Sequence, residues 1–175
     1  MMKLPWQFKD YLFGILMMLG MVISGLIISL IAPRFLELIL WAPAGGIFLT
    51  IGMARLQSWG SVALMILPLA IILSFLSFPI GLYLVLTALF TEAIIFFRGN
   101  YHTKRNRFLG NVVFFIAALV IGYLTAAFLV GEEFATLVRQ PLQFGTLIVA
   151  VGLTGSLGWW FGEMILSQLN LDQKV

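Results

Sequence analysis

Residues 61–97 read SVALMILPLAIILSFLSFPIGLYLVLTALFTEAIIFF, a run of 37 residues whose one charge is Glu92. As a single helix this run would be about 55 Å long, against a bilayer hydrocarbon core of about 30 Å. It must therefore fold back on itself. Ser77-Phe78-Pro79-Ile80-Gly81 is the expected turn, because proline and glycine are the residues that punctuate an apolar run. The run is then two membrane spans, about 61–77 and 81–97.

Outward from this pair, the same length criterion finds four more apolar segments. Two precede it, at about 11–31 and 37–54, and two follow, at about 108–130 and 144–166. The first stops at Ala32-Pro33-Arg34, where proline ends the helix and arginine resists hydrocarbon. Lys3–Leu30 has the look of a signal sequence, but its apolar run is too long and lacks a cleavage site, so it is read as the first span. The expected fold is an all-α membrane protein, a bundle of six transmembrane helices forming a single integral membrane domain over residues 1–175. Composition agrees: 62% of the residues are hydrophobic, 10% are charged and mean hydropathy is +1.09. A soluble domain of this size could not hide so much apolar surface.

Charge gives the bundle an expected orientation. Lys3, Lys9, Arg55, Arg98, Lys104, Arg105, Arg107 and Lys174 fall on one side of the six-span layout. The other side carries only Arg34 and Arg139, beside Glu37, Glu132 and Glu133. Basic loops stay in the cytoplasm, so both termini are expected there. The Pro33, Pro79 and Glu132–Gln143 connections are expected to face outward.

Few residues can carry chemistry. Glu92 and Glu163 are ionisable groups within or near the ends of spans, where acids are costly and often functional. Each can relay protons, pair with a cation such as Arg98 or Arg55, or contact another subunit. Gly20 and Ser24 have the small-xxx-small spacing that lets helix backbones approach closely, either within the bundle or at a partner's surface. Gly145, Gly152, Gly155, Gly158 and Gly162 fall mainly on one face of the last span, suited to tight packing or to sliding. Candidate ligand contacts in the outer half are Arg34, Trp41, Ser77, Phe78, Tyr83, Glu133, Arg139 and Gln143, polar groups among apolar walls.

Other chemistry lacks its residues. His102 is the only histidine and cysteine is absent, so no metal site is expected. There is no phosphate-binding Gly-x-x-x-x-Gly-Lys-Ser/Thr loop, no His-Glu-x-x-His motif and no plausible Ser/His pair. The expectation is a non-enzyme that needs no cofactor of its own and binds no nucleic acid.

Three stretches carry a family resemblance. They are Trp41-Ala42-Pro43-Ala44-Gly45-Gly46 through Met53-Ala54-Arg55; Thr91-Glu92-Ala93-Ile94-Ile95 with Arg98-Gly99-Asn100-Tyr101 and then Asn111-Val112-Val113-Phe114; and Gly152-Leu153-Thr154-Gly155-Ser156-Leu157-Gly158. In these the chain resembles the substrate-binding S components of energy-coupling factor (ECF) transporters, in particular the Trep-Strep group of bacterial membrane proteins. Gly20-x-x-x-Ser24 stands where that group often has an alanine-based pair. The resemblance implies a multi-pass protein of the bacterial cell membrane that takes up a scarce micronutrient, such as haem or a vitamin, from outside. It further implies a transmembrane coupling subunit and two cytoplasmic ATPases as partners, release of ligand inward by toppling, and docking through Gly20, Ser24, Glu92 and Glu163. Two other readings stay open: a stand-alone, proton-coupled secondary carrier, and a non-transporting membrane assembly protein.

Overall fold

A computed structural model describes residues 6–33, 36–131, 135–136 and 138–169. Arg34 and Glu133, both expected at the outward pocket, lie outside the described residues. Among those described there are six long helices and no strand: α1 (Phe8–Ser29), α2 (Glu37–Leu56), α3 (Ser61–Leu76), α4 (Phe78–Phe96), α5 (Lys104–Leu129) and α6 (Pro141–Gln168). Five are long and apolar enough to cross a membrane. The exception is α3, whose 16 residues give a rod of about 24 Å. The chain is thus an all-helical protein with the character of a multi-pass membrane protein.

The turn in the 61–97 run is tighter than its sequence suggests. Ser77 alone is extended (φ −154°, ψ 108°), and Phe78 to Gly81 already belong to α4. Pro79 causes no break because it sits in the first turn, where its missing N–H would have had no helical partner. Gly81 lets the two helices close up: a Cβ there would lie 2.8 Å from Ser74 Cα and 2.9 Å from the Ala70 carbonyl oxygen. The fifth helix also begins earlier than its hydropathy indicates, at Lys104, because the Thr103 side chain accepts the Asn106 backbone N–H and caps it.

Successive helices run antiparallel, so the bundle has two distinct ends. One gathers the starts of α1, α3 and α5 with the finishes of α2, α4 and α6. There the Trp6 ring lies against Gly60, and the Tyr101 N–H donates to the Gln57 carbonyl at 2.8 Å. This end holds Lys9, Arg55, Arg98, Lys104, Arg105 and Arg107 and is called the basic end. Both Gln57 (φ 57°) and Gly60 (φ 92°) are left-handed, which turns the chain from α2 into α3 within four residues.

The core is centred on α2, which packs against α6, α1, α5 and α3; α4 bridges α3 to α5, and α5 meets α6. Leu49, Met53, Met65, Phe114, Phe115 and Val151 fill it and are fully buried. The seam between α2 and α6 is backbone against backbone. A Cβ on Gly158 would come within 2.7 Å of the Pro43 carbonyl oxygen and 2.8 Å of Gly46 Cα. On the outside, Leu12, Leu16, Leu19, Ile23 and Leu26 leave one side of α1 apolar and exposed, as a lipid-facing surface should be.

Candidate functional site

The buried charge of this protein is concentrated at the basic end. Glu92, in the last turns of α4, is 3% exposed and points its carboxylate at the start of α3. Oε2 accepts the Gly60 N–H at 2.8 Å, and Oε1 accepts those of Val62 at 2.6 Å and Ala63 at 3.2 Å. These are amides a helix start leaves without partners, and the positive end of the helix dipole favours the carboxylate there. The neighbouring Trp59 indole donates to the Glu92 carbonyl at 3.1 Å. The acid therefore caps a helix instead of pairing with Arg98 or Arg55.

Glu163, on α6, pairs with Arg107 of α5. Arg107 is 2% exposed, and its guanidinium forks onto the carboxylate: Nε to Oε1 at 2.6 Å and Nη2 to Oε2 at 3.1 Å. Nη1 donates to the carbonyls of Tyr101 (3.2 Å) and His102 (2.9 Å). One side chain thus fastens α6 to the loop that leads into α5. That loop is further fixed by Asn106, whose Nδ2 donates to the Asn100 carbonyl at 2.7 Å. Lys104 approaches the outer side of Glu163, at 3.9 Å.

Between the two acids lies Tyr101, fully buried, with its ring against Gly110. Burial first, and then the nearby Glu92 carboxylate, push its phenol far above the ordinary tyrosine range, so it stays protonated throughout the physiological range. One helical turn inward from Arg107, Asn111 donates to the Gly46 carbonyl at 2.8 Å and to Thr50 Oγ1 at 2.6 Å. It ties α5 to the middle of α2 beside the glycine seam. His102 contributes only backbone to this network: its N–H donates to Asn100 Oδ1 and its carbonyl accepts from Arg107.

The expected docking residues are all engaged inside the chain. Gly20 packs on the Phe48 ring of α2. Ser24 Oγ donates to the Met21 carbonyl at 2.9 Å and accepts the Trp41 indole N–H at 3.0 Å. Glu92 and Glu163 are held as described.

Among the described residues, the expected outer-half ligand residues do not share one cavity. Trp41 is locked between α1 and α5, donating to Met21 and Ser24 and meeting Phe115 edge-on at 5.5 Å. Ser77 forms the α3–α4 turn, Phe78 projects outward, and Tyr83 is half-buried facing Gly122 of α5. Arg139 and Gln143 are exposed near the start of α6. A shallow groove of about 370 Å³ does open between α4 and α5, lined by Leu82, Leu86, Ile121, Leu124, Thr125, Phe128 and Leu129. None of the expected ligand residues among those described lines it.

In the sequence Arg107 reads as one more loop cation, and Tyr101 and Asn111 stand out only as members of the resemblance stretches. A signal for the first was present. With Thr103 as a helix cap, Arg107, Asn111 and Phe115 fall four residues apart on one face, and an asparagine in an apolar helix marks the face turned inward. Among the described residues no group of three His, Asp or Glu side chains could hold a metal ion.

No family model, curated protein or solved structure matches this chain.

Proposed function

We propose that the chain is the substrate-specific membrane subunit of an ATP-driven importer of the ECF type. The observation that carries this reading is that the three stretches of the family resemblance meet in space. Gly46, from the first, lies on Gly158, from the third, and Asn111, from the second, donates to the Gly46 carbonyl. Residues of one functional unit would be expected to converge in this way, although they are distant in sequence.

In this reading all six helices span the bacterial cell membrane, α3 with slight local thinning of the bilayer. The basic end and both termini lie in the cytoplasm, as the distribution of Lys and Arg favours. A transmembrane coupling subunit and two ATPases act from that side. Ligand binds from the opposite side, where the α4–α5 groove offers leucine, isoleucine and phenylalanine side chains and one threonine. Such a lining suits the flat apolar ring of a haem-like or vitamin-like molecule better than a small charged solute. The fixed α2–α6 seam lets the loaded bundle tilt as one body during toppling.

The same seam favours a second reading, a non-transporting membrane assembly protein, because Gly46 against Gly158 leaves no space for a ligand between α2 and α6. A proton-coupled carrier fits less well, since Glu92 would have to surrender the amides of α3 on every cycle. The deciding experiment purifies the chain under mild extraction, alone and with candidate coupling and ATPase subunits, and reads native mass and absorption spectra. Retained small molecule with a coupling–ATPase complex is the expected result. A chain that carries neither would overturn the transporter reading and leave the assembly protein.

A further inference from the structure

At the basic end the described acids are engaged with groups of the chain itself, Glu92 and Glu163 buried and Asp10 partly exposed, while most of the cations turn outward. Asp10 Oδ2 accepts the Gln7 N–H at 2.8 Å at the start of α1. Glu92 is spent on the α3 amides and Glu163 on Arg107. By contrast Lys9, Arg55, Arg98, Lys104 and Arg105 are exposed. Among the described residues only Lys104 of these approaches an acid within 4 Å, at 3.9 Å, and Glu163 is there already neutralised by Arg107. The described surface at this end is therefore almost purely cationic.

Arg98, Lys104 and Arg105 are also presented by a fixed scaffold. Their loop is held by the Tyr101–Gln57, Asn106–Asn100 and Arg107–His102 hydrogen bonds. Few rotatable backbone bonds remain to be ordered when an anion arrives, which lowers the entropic cost of binding. Exposed aromatic side chains sit immediately beside the outward cations: Phe96 and Phe97 precede Arg98, and Phe8 precedes Lys9. Large apolar side chains left bare at the end of a membrane helix belong at the acyl boundary. The adjoining cations are then at headgroup depth.

We propose that this rim, centred on Arg98, Lys104 and Arg105, binds the headgroups of anionic phospholipids. The ligand is the lipid itself, phosphate with an attached acyl chain, because the surface sets bare aromatics directly beside its cations. This goes beyond the transporter reading and does not rest on it: a carrier or an assembly protein with this rim would bind the same lipids.

The test uses the full chain in detergent with added phosphatidylglycerol or phosphatidylcholine, reading lipid adducts by native mass spectrometry. A basic side chain near an anionic surface is worth about a fivefold change in binding. Wild type should therefore prefer phosphatidylglycerol by about tenfold or more. The triple variant Arg98→Gln, Lys104→Gln, Arg105→Gln should lose that preference while keeping its elution profile and helical circular dichroism. The pair Arg98→Lys, Arg105→Lys should retain it, since headgroup attraction needs the charge and not the guanidinium. Glycerol phosphate at matched concentration should not displace the bound lipid. Equal uptake of the two lipids by wild type, an undiminished preference in the folded triple variant, or displacement by glycerol phosphate would each overturn the proposal.

Discussion

Arg107 and Glu163 form a closed unit with the carbonyls of Tyr101 and His102, and the unit is nearly sealed from solvent. Removing one partner of a buried pair leaves the other charge uncompensated, at a cost of about 3–5 kcal/mol. Arg107→Ala and Glu163→Ala should each lose about that much in reversible unfolding from mixed micelles. The double variant should lose clearly less than the sum, because no lone charge remains. Additive losses would mean the two side chains contribute independently. This pair is legible from residue types only in part. Glu163 stands out as an acid near a span, but its partner lies 56 positions away among four neighbouring cations of the same loop. Nothing in residue type separates Arg107 from Arg105; the difference is which face of α5 each occupies.

At the scale of helices, the glycines of α6 differ in what surrounds them. Gly158 meets the backbone of α2, which cannot step aside, whereas Gly145 has nothing within 4 Å. Gly158→Ala should force α2 and α6 apart and destabilise the bundle by about 1–3 kcal/mol. Gly145→Ala should be neutral or slightly stabilising, since alanine is the better helix former. Gly52→Ala should fall between them, because the crowding atoms there belong to the flexible Met65 side chain. Equal thermal midpoints for the three variants in detergent would contradict the backbone seam. The spacing of these glycines announced a packing face in the sequence, while the neighbour across it was invisible. Helix positions themselves were legible because apolar length is a coarse signal. The α3–α4 turn was drawn too long because Pro79 and Gly81 act as breakers in most settings, yet here they serve the first turn of α4 and a close helix crossing.

For the molecule as a whole, the order of six helices is readable from apolar runs and breakers, whereas the use of Trp41 to fasten α1 is not, since an indole near a helix end suits an interface equally well. The α4–α5 groove is likewise invisible, because its leucines look the same in sequence as lipid-facing ones. The orientation of the bundle is where sequence and fold combine into a sharp expectation. Even helix number puts the start of α1 and the finish of α6 on the side of the basic rim, and basic loops tend to stay in the cytoplasm. The absence of cysteine makes this directly measurable, since any thiol introduced is unique. His102 and Gln140 are exposed at opposite ends, and neither side chain takes part in the buried network. In intact cells a membrane-impermeant maleimide should label Gln140→Cys and spare His102→Cys until the membrane is opened. The reverse pattern would invert the bundle and move the α4–α5 groove to the cytoplasmic face. Labelling of both in sealed cells would mean that α5, the one helix between the two sites, does not cross the membrane.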